Sequence, residues 1–320
     1  MIIGTRGSEL ALWQARHIQA RLGGEQAGVA LQIIKTSGDK LLEIPLQQQT
    51  DKGFFTKELE VALADHRVDL AVHSLKDLPT QMPPGLVLSA IPVRADVHDL
   101  LLVRKEAVDL SRKLPIRAGS RVGTASMRRM ALLKHVAPDV LPTFLRGNVP
   151  TRLNKAISGE MQAVILARAG LARLGLDTAD LAVFDLNPDL WLPAAAQGAL
   201  GIQARGDDPA VLAKLALLRD ANTTQAVELE RGLLRQLEGG CHAAFGAHAT
   251  PIAGSDGWQL LAGLEDAAGN WRSVAVRGPV ETLVLAAYAQ LIAEPFPEAS
   301  RTAQGLFEAQ SWYAPARAWS

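Results

Sequence analysis

Three groups of residues in the chain carry side chains that could do chemistry. The first is Cys241, the only cysteine, which follows Gly239 and Gly240 and precedes His242. A thiolate is a strong nucleophile, and two glycines let a loop project the side chain that follows them. A lone cysteine also serves as an ordinary small buried hydrophobe. Because neighbours on an extended loop point opposite ways, Cys241 and His242 make a poor dyad. The second is Asp77, beside Lys76, after the apolar run Val68–Val72 and before Leu78-Pro79. A carboxylate there either caps the turn before the proline or faces a cleft, where it would stabilise a cationic intermediate. The third is a set of arginines beside Gly, Ser or Asn: Arg6 with Ser8, Arg128 and Arg129 with Ser126, and Arg146 with Gly147 and Asn148.

The elements that must position these residues follow from periodicity. Ile2–Thr5 reads as a strand, and Ser8 caps a helix whose Ala11, Ala15, Ile18 and Leu22 form one apolar stripe, stopped at Gly23-Gly24. Leu31–Thr36 is a strand, residues 37–53 a polar loop or lid, Thr56–Asp65 a helix and Val68–Val72 a buried strand. The alternation then repeats: strands at Arg121–Gly123, Val140–Leu145 and Ala163–Leu166, with helices opening at Ser126, Asn148 and Ala169. Strands alternating with helices predict right-handed βαβ units and mainly parallel sheets, whose ligands bind at the carboxyl ends of the strands. Beyond about residue 219 the pattern changes to a helix (Thr224–Leu237), three strand-like runs (Ala243–Ala249, Trp258–Leu264, Trp271–Arg277) and a helix (Val280–Ala293), with a weakly patterned tail from Pro295.

Charge supports an anion-binding cleft. The chain has 33 basic and 33 acidic residues, which argues against a dedicated nucleic-acid binder. Yet residues 110–159 hold ten basic side chains against the single acid Asp139. Arg outnumbers Lys 23 to 10, and the planar guanidinium grips carboxylates through two hydrogen bonds. A solvated basic face is the competing explanation. The composition is that of a globular chain, and no apolar run is long enough to span a membrane. The N-terminus lacks the pattern of a secretory signal. The lone cysteine fits a reducing compartment, so a cytoplasmic location is expected. Scattered histidines and one cysteine predict no metal site.

These residues fall into a family pattern. Thr5-Arg6-Gly7-Ser8 with Leu10–Gln14, Lys52–Glu60, Asp69–Pro79, Gly123–Arg129, Leu145–Val149 with Thr151-Arg152-Leu153, Ala169–Leu171 with Arg173-Leu174-Gly175, Gln197-Gly198-Ala199 and Glu238–Cys241 together resemble the porphobilinogen deaminase (hydroxymethylbilane synthase) family. The motifs run in family order from residue 5 to about 250. The resemblance implies an α/β protein of two lobes like those of periplasmic binding proteins, plus a small C-terminal α+β domain with an antiparallel three-stranded sheet. The implied boundaries are 1–93 with 194–214, 94–193, and 215–320.

It implies a transferase of tetrapyrrole and haem biosynthesis that joins four porphobilinogen molecules head to tail, releasing ammonia, to give hydroxymethylbilane. The implied cofactor is a dipyrromethane held on Cys241 through a thioether. Carried onto this chain, Asp77 is the catalytic residue. Cys241, Lys76, Ser126, Arg128, Arg129, Arg146 and Gly147 hold the cofactor. Arg6, Ser8, Arg152, Arg173 and Gln197 bind substrate, and Lys52 and Phe55 belong to the lid. A monomer with no metal, membrane or nucleic-acid partner is implied. The chain departs from the family pattern at Glu9, Gln48, Ala195-Ala196, Gln203 and Ala244. Two other readings stay open at this level: a non-enzymatic anion-binding protein, and a cysteine hydrolase pairing Cys241 with His73.

Overall fold

The computed structural model describes residues 1–36, 56–238, 244–293 and 310–317. These fall into two units, Met1–Ala95 with Gln197–Gln225, and Asp96–Ala196 with the described part of Ala226–Ser320.

The first unit is built on a five-stranded sheet. Its strands are β1 (Ile2–Thr5), β2 (Ala30–Ile33), β3 (Leu70–Ser74), β4 (Leu86–Ala90) and β10 (Leu200–Arg205), in the order β2-β1-β3-β10-β4. β1 runs parallel to β2 and β3, as the βαβ reading expects. β10 runs antiparallel to both β3 and β4, so the sheet is mixed. Alternation along β3 sorts its side chains onto two faces. Leu70 and Val72 pack with Ala15 and Ile18 of helix α1 (Glu9–Arg21). Ala71 packs on the other side with Leu59, Ala62 and Leu63 of helix α2 (Lys57–Ala64).

The second unit contains a six-stranded sheet and a three-stranded one. The larger joins β5 (Asp99–Arg104), β6 (Arg121–Thr124), β7 (Leu141–Phe144), β8 (Ala163–Ala167), β9 (Leu181–Leu186) and β14 (Tyr313–Pro315) in the order β14-β9-β5-β8-β6-β7. β6 is parallel to β7 and β8, whereas β5 is antiparallel to β8 and β9. The helices α3 (Met127–Val136), α4 (Val149–Ile157) and α5 (Arg168–Leu174) follow β6, β7 and β8. Helix α6 (Pro209–Ala216) belongs to the first unit, and its Val211 and Leu215 join the α1 face. In the smaller sheet β11 (Phe245–Pro251), β12 (Trp258–Glu265) and β13 (Trp271–Gly278) form an antiparallel meander. Its core includes Leu229 and Leu233 of α7 (Ala221–Glu238) and Leu283 and Leu291 of α8 (Val280–Ile292).

One expectation needs correction. The sheets are not mainly parallel, because β4, β5, β9 and β10 escape a reading that looks for a helix after every strand. The weakly patterned tail also holds a strand that its periodicity does not announce. β14 pairs antiparallel with β9, Arg168 donates from Nη2 to the Arg317 carbonyl at 2.7 Å and from Nη1 to Asp185 at 2.6 Å, and Lys113 sits over the Trp312 ring. The contacts made by the tail reach back between 127 residues, at Tyr313 and Leu186, and 199 residues, at Trp312 and Lys113, which no local pattern reports. The polar loop at 37–53, with its lid residue Lys52, lies outside the described residues, as do Phe55 and Cys241.

Candidate active site

The turn after β1 carries Arg6 and Ser8. Thr5 Oγ1 donates to the Ala11 carbonyl at 3.1 Å, and Ser8 Oγ accepts from the Ala11 amide at 3.4 Å, so the turn is tied to the helix it starts. β3 ends at Ser74 and passes into a single helical turn, Leu75–Asp77. Ser74 Oγ accepts from the buried Gln14 of α1 at 2.7 Å, which fixes the strand end against that helix. The two ends enclose a cavity of about 110 Å³ whose wall includes Arg6, Ser8, Gln14, His73, Ser74 and Asp77.

Asp77 is exposed, and among the described residues no hydrogen bond reaches its carboxylate. That speaks against the turn-capping role, which would tie it to a backbone amide. Lys76 turns elsewhere: its Nζ donates to Gln197 Oε1 at 3.4 Å. Gln197 is itself held, since its carbonyl accepts from Arg94 Nε at 3.2 Å and Nη2 at 2.9 Å. Asp69, next to β3, accepts from the Ile2 amide at 2.7 Å and pairs with Arg205 at 3.4 Å, so it is structural.

His73 is buried on the wall of the cavity. Burial, with a smaller push from Arg6, lowers its pKa to about 4, against an opposing hydrogen bond with Gln203. The ring is therefore neutral at pH 7.

In the second unit the arginines divide. Ser126 caps α3, accepting from the Arg129 amide at 3.4 Å. Arg128 and Arg129 are turned inward on a partner that the sequence reading did not weigh, Asp99 at the start of β5. Arg129 donates to Asp99 from Nε at 3.0 Å and from Nη2 at 2.7 Å, Arg128 from Nη2 at 2.8 Å, and Trp191 from Nε1 at 3.0 Å. Burial alone would raise the Asp99 pKa, but the two guanidiniums override it and hold the carboxyl far below the usual range. The cluster of two arginines and one aspartate keeps a net positive charge in a buried place. An acid at the head of the apolar run Asp99–Val103 was the signal available in the sequence.

Arg146 lies over the exposed Phe144 ring, 5.6 Å from its centre. Gly147 has φ of 111°, and a Cβ there would meet the Thr151 side chain at 2.8 Å, so the loop before α4 requires glycine. Asn148 caps α4 by accepting from the Thr151 amide at 2.9 Å. Arg152 lies on α4, half-buried. Arg173, on α5, has its pKa lowered by burial to about 10, and so stays charged at neutral pH. The described part of α7 runs to Glu238, three residues before Cys241.

The family model described as porphobilinogen deaminase, dipyromethane cofactor binding domain, matches residues 1–213. The chain belongs to the porphobilinogen deaminase family. A porphobilinogen deaminase of Nitratidesulfovibrio vulgaris is 47% identical over 264 residues, which span 81% of each chain. One of Syntrophobacter fumaroxidans is 45% identical over 266 residues, 82% of each chain. Among solved structures, a Salmonella typhimurium periplasmic binding protein with high arginine specificity aligns over 70% of this chain and 93% of its own, at 13% identity and a TM-score of 0.39. As in the rest of the family, the cofactor is a dipyrromethane.

Proposed function

We propose that the cavity between the β1 turn and the end of β3 is where this porphobilinogen deaminase releases ammonia from its substrate, with Asp77 as the catalytic residue. The protein is a transferase of tetrapyrrole biosynthesis that condenses four porphobilinogen molecules into hydroxymethylbilane. The observation that carries the assignment is the Asp77 carboxylate on a cavity wall with Arg6 and Ser8, without a hydrogen bond from the described residues. Each porphobilinogen brings an acetate, a propionate and an aminomethyl group. Arg6 and Ser8 suit the carboxylates. Asp77 suits the cationic end and the pyrrole N–H.

When the carbon–nitrogen bond breaks, ammonia leaves with the bonding pair and the methylene carbon becomes cationic. Asp77 offsets that charge and accepts the pyrrole N–H, a preorganised interaction that strengthens as the charge develops. The cofactor, when bound, supplies the pyrrole carbon to which the first substrate is joined. The residues fit such a polycarboxylate: Cys241 would hold it covalently, and Lys76, Ser126, Arg128, Arg129, Arg146 and the Gly147 loop would carry its carboxylates. The net positive charge left around Asp99 supports that reading. Arg152, Arg173 and Gln197 would serve the substrate chain, and Lys52 and Phe55 the lid.

We place the protein in the cytoplasm as a monomer, without nucleic-acid or membrane partner. Its balanced charge and lone cysteine support this, and among the described residues no helix is long and apolar enough to cross a membrane. The deciding experiment is single-turnover ammonia release by Asp77→Asn, with cofactor content measured first. Loss of about 10²–10³-fold in rate is expected for removing one preorganised electrostatic partner. A near-normal rate would remove Asp77 from the chemistry.

A further inference from the structure

The register of the first sheet places Gln203 opposite Ala71 and Gly201 opposite His73, so His73 and Gln203 share the face that looks toward α2. Their side chains meet at 3.1 Å, His73 Nε2 to Gln203 Oε1. Gln203 is fully buried, and its Nε2 donates onward to Glu60 Oε1 of α2 at 3.3 Å and lies 3.5 Å from Met82 Sδ. This chain of contacts settles the tautomer. A carboxylate oxygen accepts, so the amide of Gln203 must turn its N–H toward Glu60 and its oxygen toward His73. His73 must then donate from Nε2, which leaves Nδ1 with a lone pair. Among the described residues three charged groups stand near the ring. Arg6, from the β1 turn, and Asp77, beyond the end of its own strand, share the cavity wall with it, and Glu60 stands behind Gln203.

We propose that His73 is a substrate-positioning residue of the Asp77 cavity, a neutral ring whose tautomer is fixed by the Gln203–Glu60 relay and whose Nδ1 accepts a hydrogen bond from the ammonium or N–H end of the substrate. This rests on the function proposed above. It adds a division of labour to it. Arg6 and Ser8 are donors for the anionic arms, whereas Asp77 and His73 are acceptors for the cationic end. An imidazolium would repel that end and would have no lone pair to offer. The amide at 203 matters for the same reason, because a carboxylate in its place would favour the protonated ring.

The test uses the holoenzyme labelled with ¹⁵N at histidine, with the His73 signals identified by their loss in His73→Gln. A neutral ring protonated at Nε2, unchanged between about pH 8 and pH 5, is expected. Gln203→Glu should make the ring titrate near neutrality and make kcat/KM for porphobilinogen fall on acidification where the parent stays level. His73→Gln keeps a donor for Gln203 but removes the ring acceptor, so KM should rise about three- to tenfold, the effect of one neutral hydrogen bond, with kcat little changed. A ring protonated at Nδ1, an ordinary histidine titration in the parent, or an unaltered KM in His73→Gln would overturn the proposal. If the parent protein instead forms no hydroxymethylbilane from porphobilinogen, the function itself is wrong, and the ring signals still report the tautomer independently.

Discussion

Glu230 should be one of the most costly single positions to neutralise. It sits on α7 with no exposure, and its two oxygens serve two different backbone amides: Oε2 accepts from Ala196 at 2.7 Å and Oε1 from Ala249 at 3.0 Å. Ala196 is itself fully buried in the left-handed region, with φ of 62°, a conformation that costs a residue with a Cβ about 1–2 kcal/mol. The carboxylate therefore helps hold a strained residue, and the next residue is Gln197, which receives Lys76. Glu230→Gln preserves shape but keeps one oxygen only, so one of the two amides must face an NH2 group. An orphaned buried N–H costs about 1–3 kcal/mol, and charge-assisted bonds contribute roughly 1.5–3 kcal/mol. Relief of the buried charge's desolvation offsets part of this. We expect a net destabilisation of about 2–3 kcal/mol. Ala196→Gly works in the opposite direction: it removes the strain but adds about 0.4–1 kcal/mol of chain entropy to the unfolded state. It should be neutral or stabilising by about 0.5 kcal/mol. The assay is urea unfolding, read as a midpoint shift at constant slope, with amide exchange at Ala196 and Ala249 as the local measure. Glu230→Gln within about 0.5 kcal/mol of the parent, or clear destabilisation by Ala196→Gly, would refute the reasoning.

Other outcomes follow from the same geometry. Asp99→Asn strands two buried guanidiniums and should destabilise the protein by about 3–5 kcal/mol in denaturant titration, with Arg128→Lys milder because the partner charge survives. Cys241→Ser should leave the purified protein at its polypeptide mass, without the increment of a dipyrromethane, because a hydroxyl is the weaker nucleophile. Arg146→Ala should weaken substrate or cofactor binding by about 1.5–3 kcal/mol, and Arg146→Lys should restore only part of it, as measured by titration calorimetry. Because burial lowers the His73 pKa from 6.5 to about 4, the unfolded chain takes up a proton that the folded ring refuses. Stability present above about pH 6.5 should then be lost as the pH falls toward about 4, by up to about 3 kcal/mol, and His73→Gln should flatten that slope in unfolding titrations.

Local signals in the sequence determined much of this protein. The apolar stripe of α1, the caps at Ser8, Ser126 and Asn148, and the glycine at 147 act over three or four residues, and the structure places each as expected. The parallel pairs β1–β2, β1–β3, β6–β7 and β6–β8 were legible for a related reason: at least one helix, announced by its period, lies in sequence between the two strands of each pair. The family motifs added the activity and the cofactor, because a string of short motifs in order is specific even where each motif is weak. Tertiary structure alone decided the rest. The antiparallel strands β5 and β10 come from distant segments and convert both sheets to mixed ones. That Arg128 and Arg129 share one buried carboxylate, Asp99, about 30 residues upstream, has no local signal beside them in the chain. In the sequence His73 is only the histidine that a hydrolase would pair with Cys241; Gln203, 130 residues on, sets its tautomer and burial keeps it neutral. Burial and long-range partners determine the charge a side chain carries and which lone pair it offers, and neither is a property of the residues beside it in the chain.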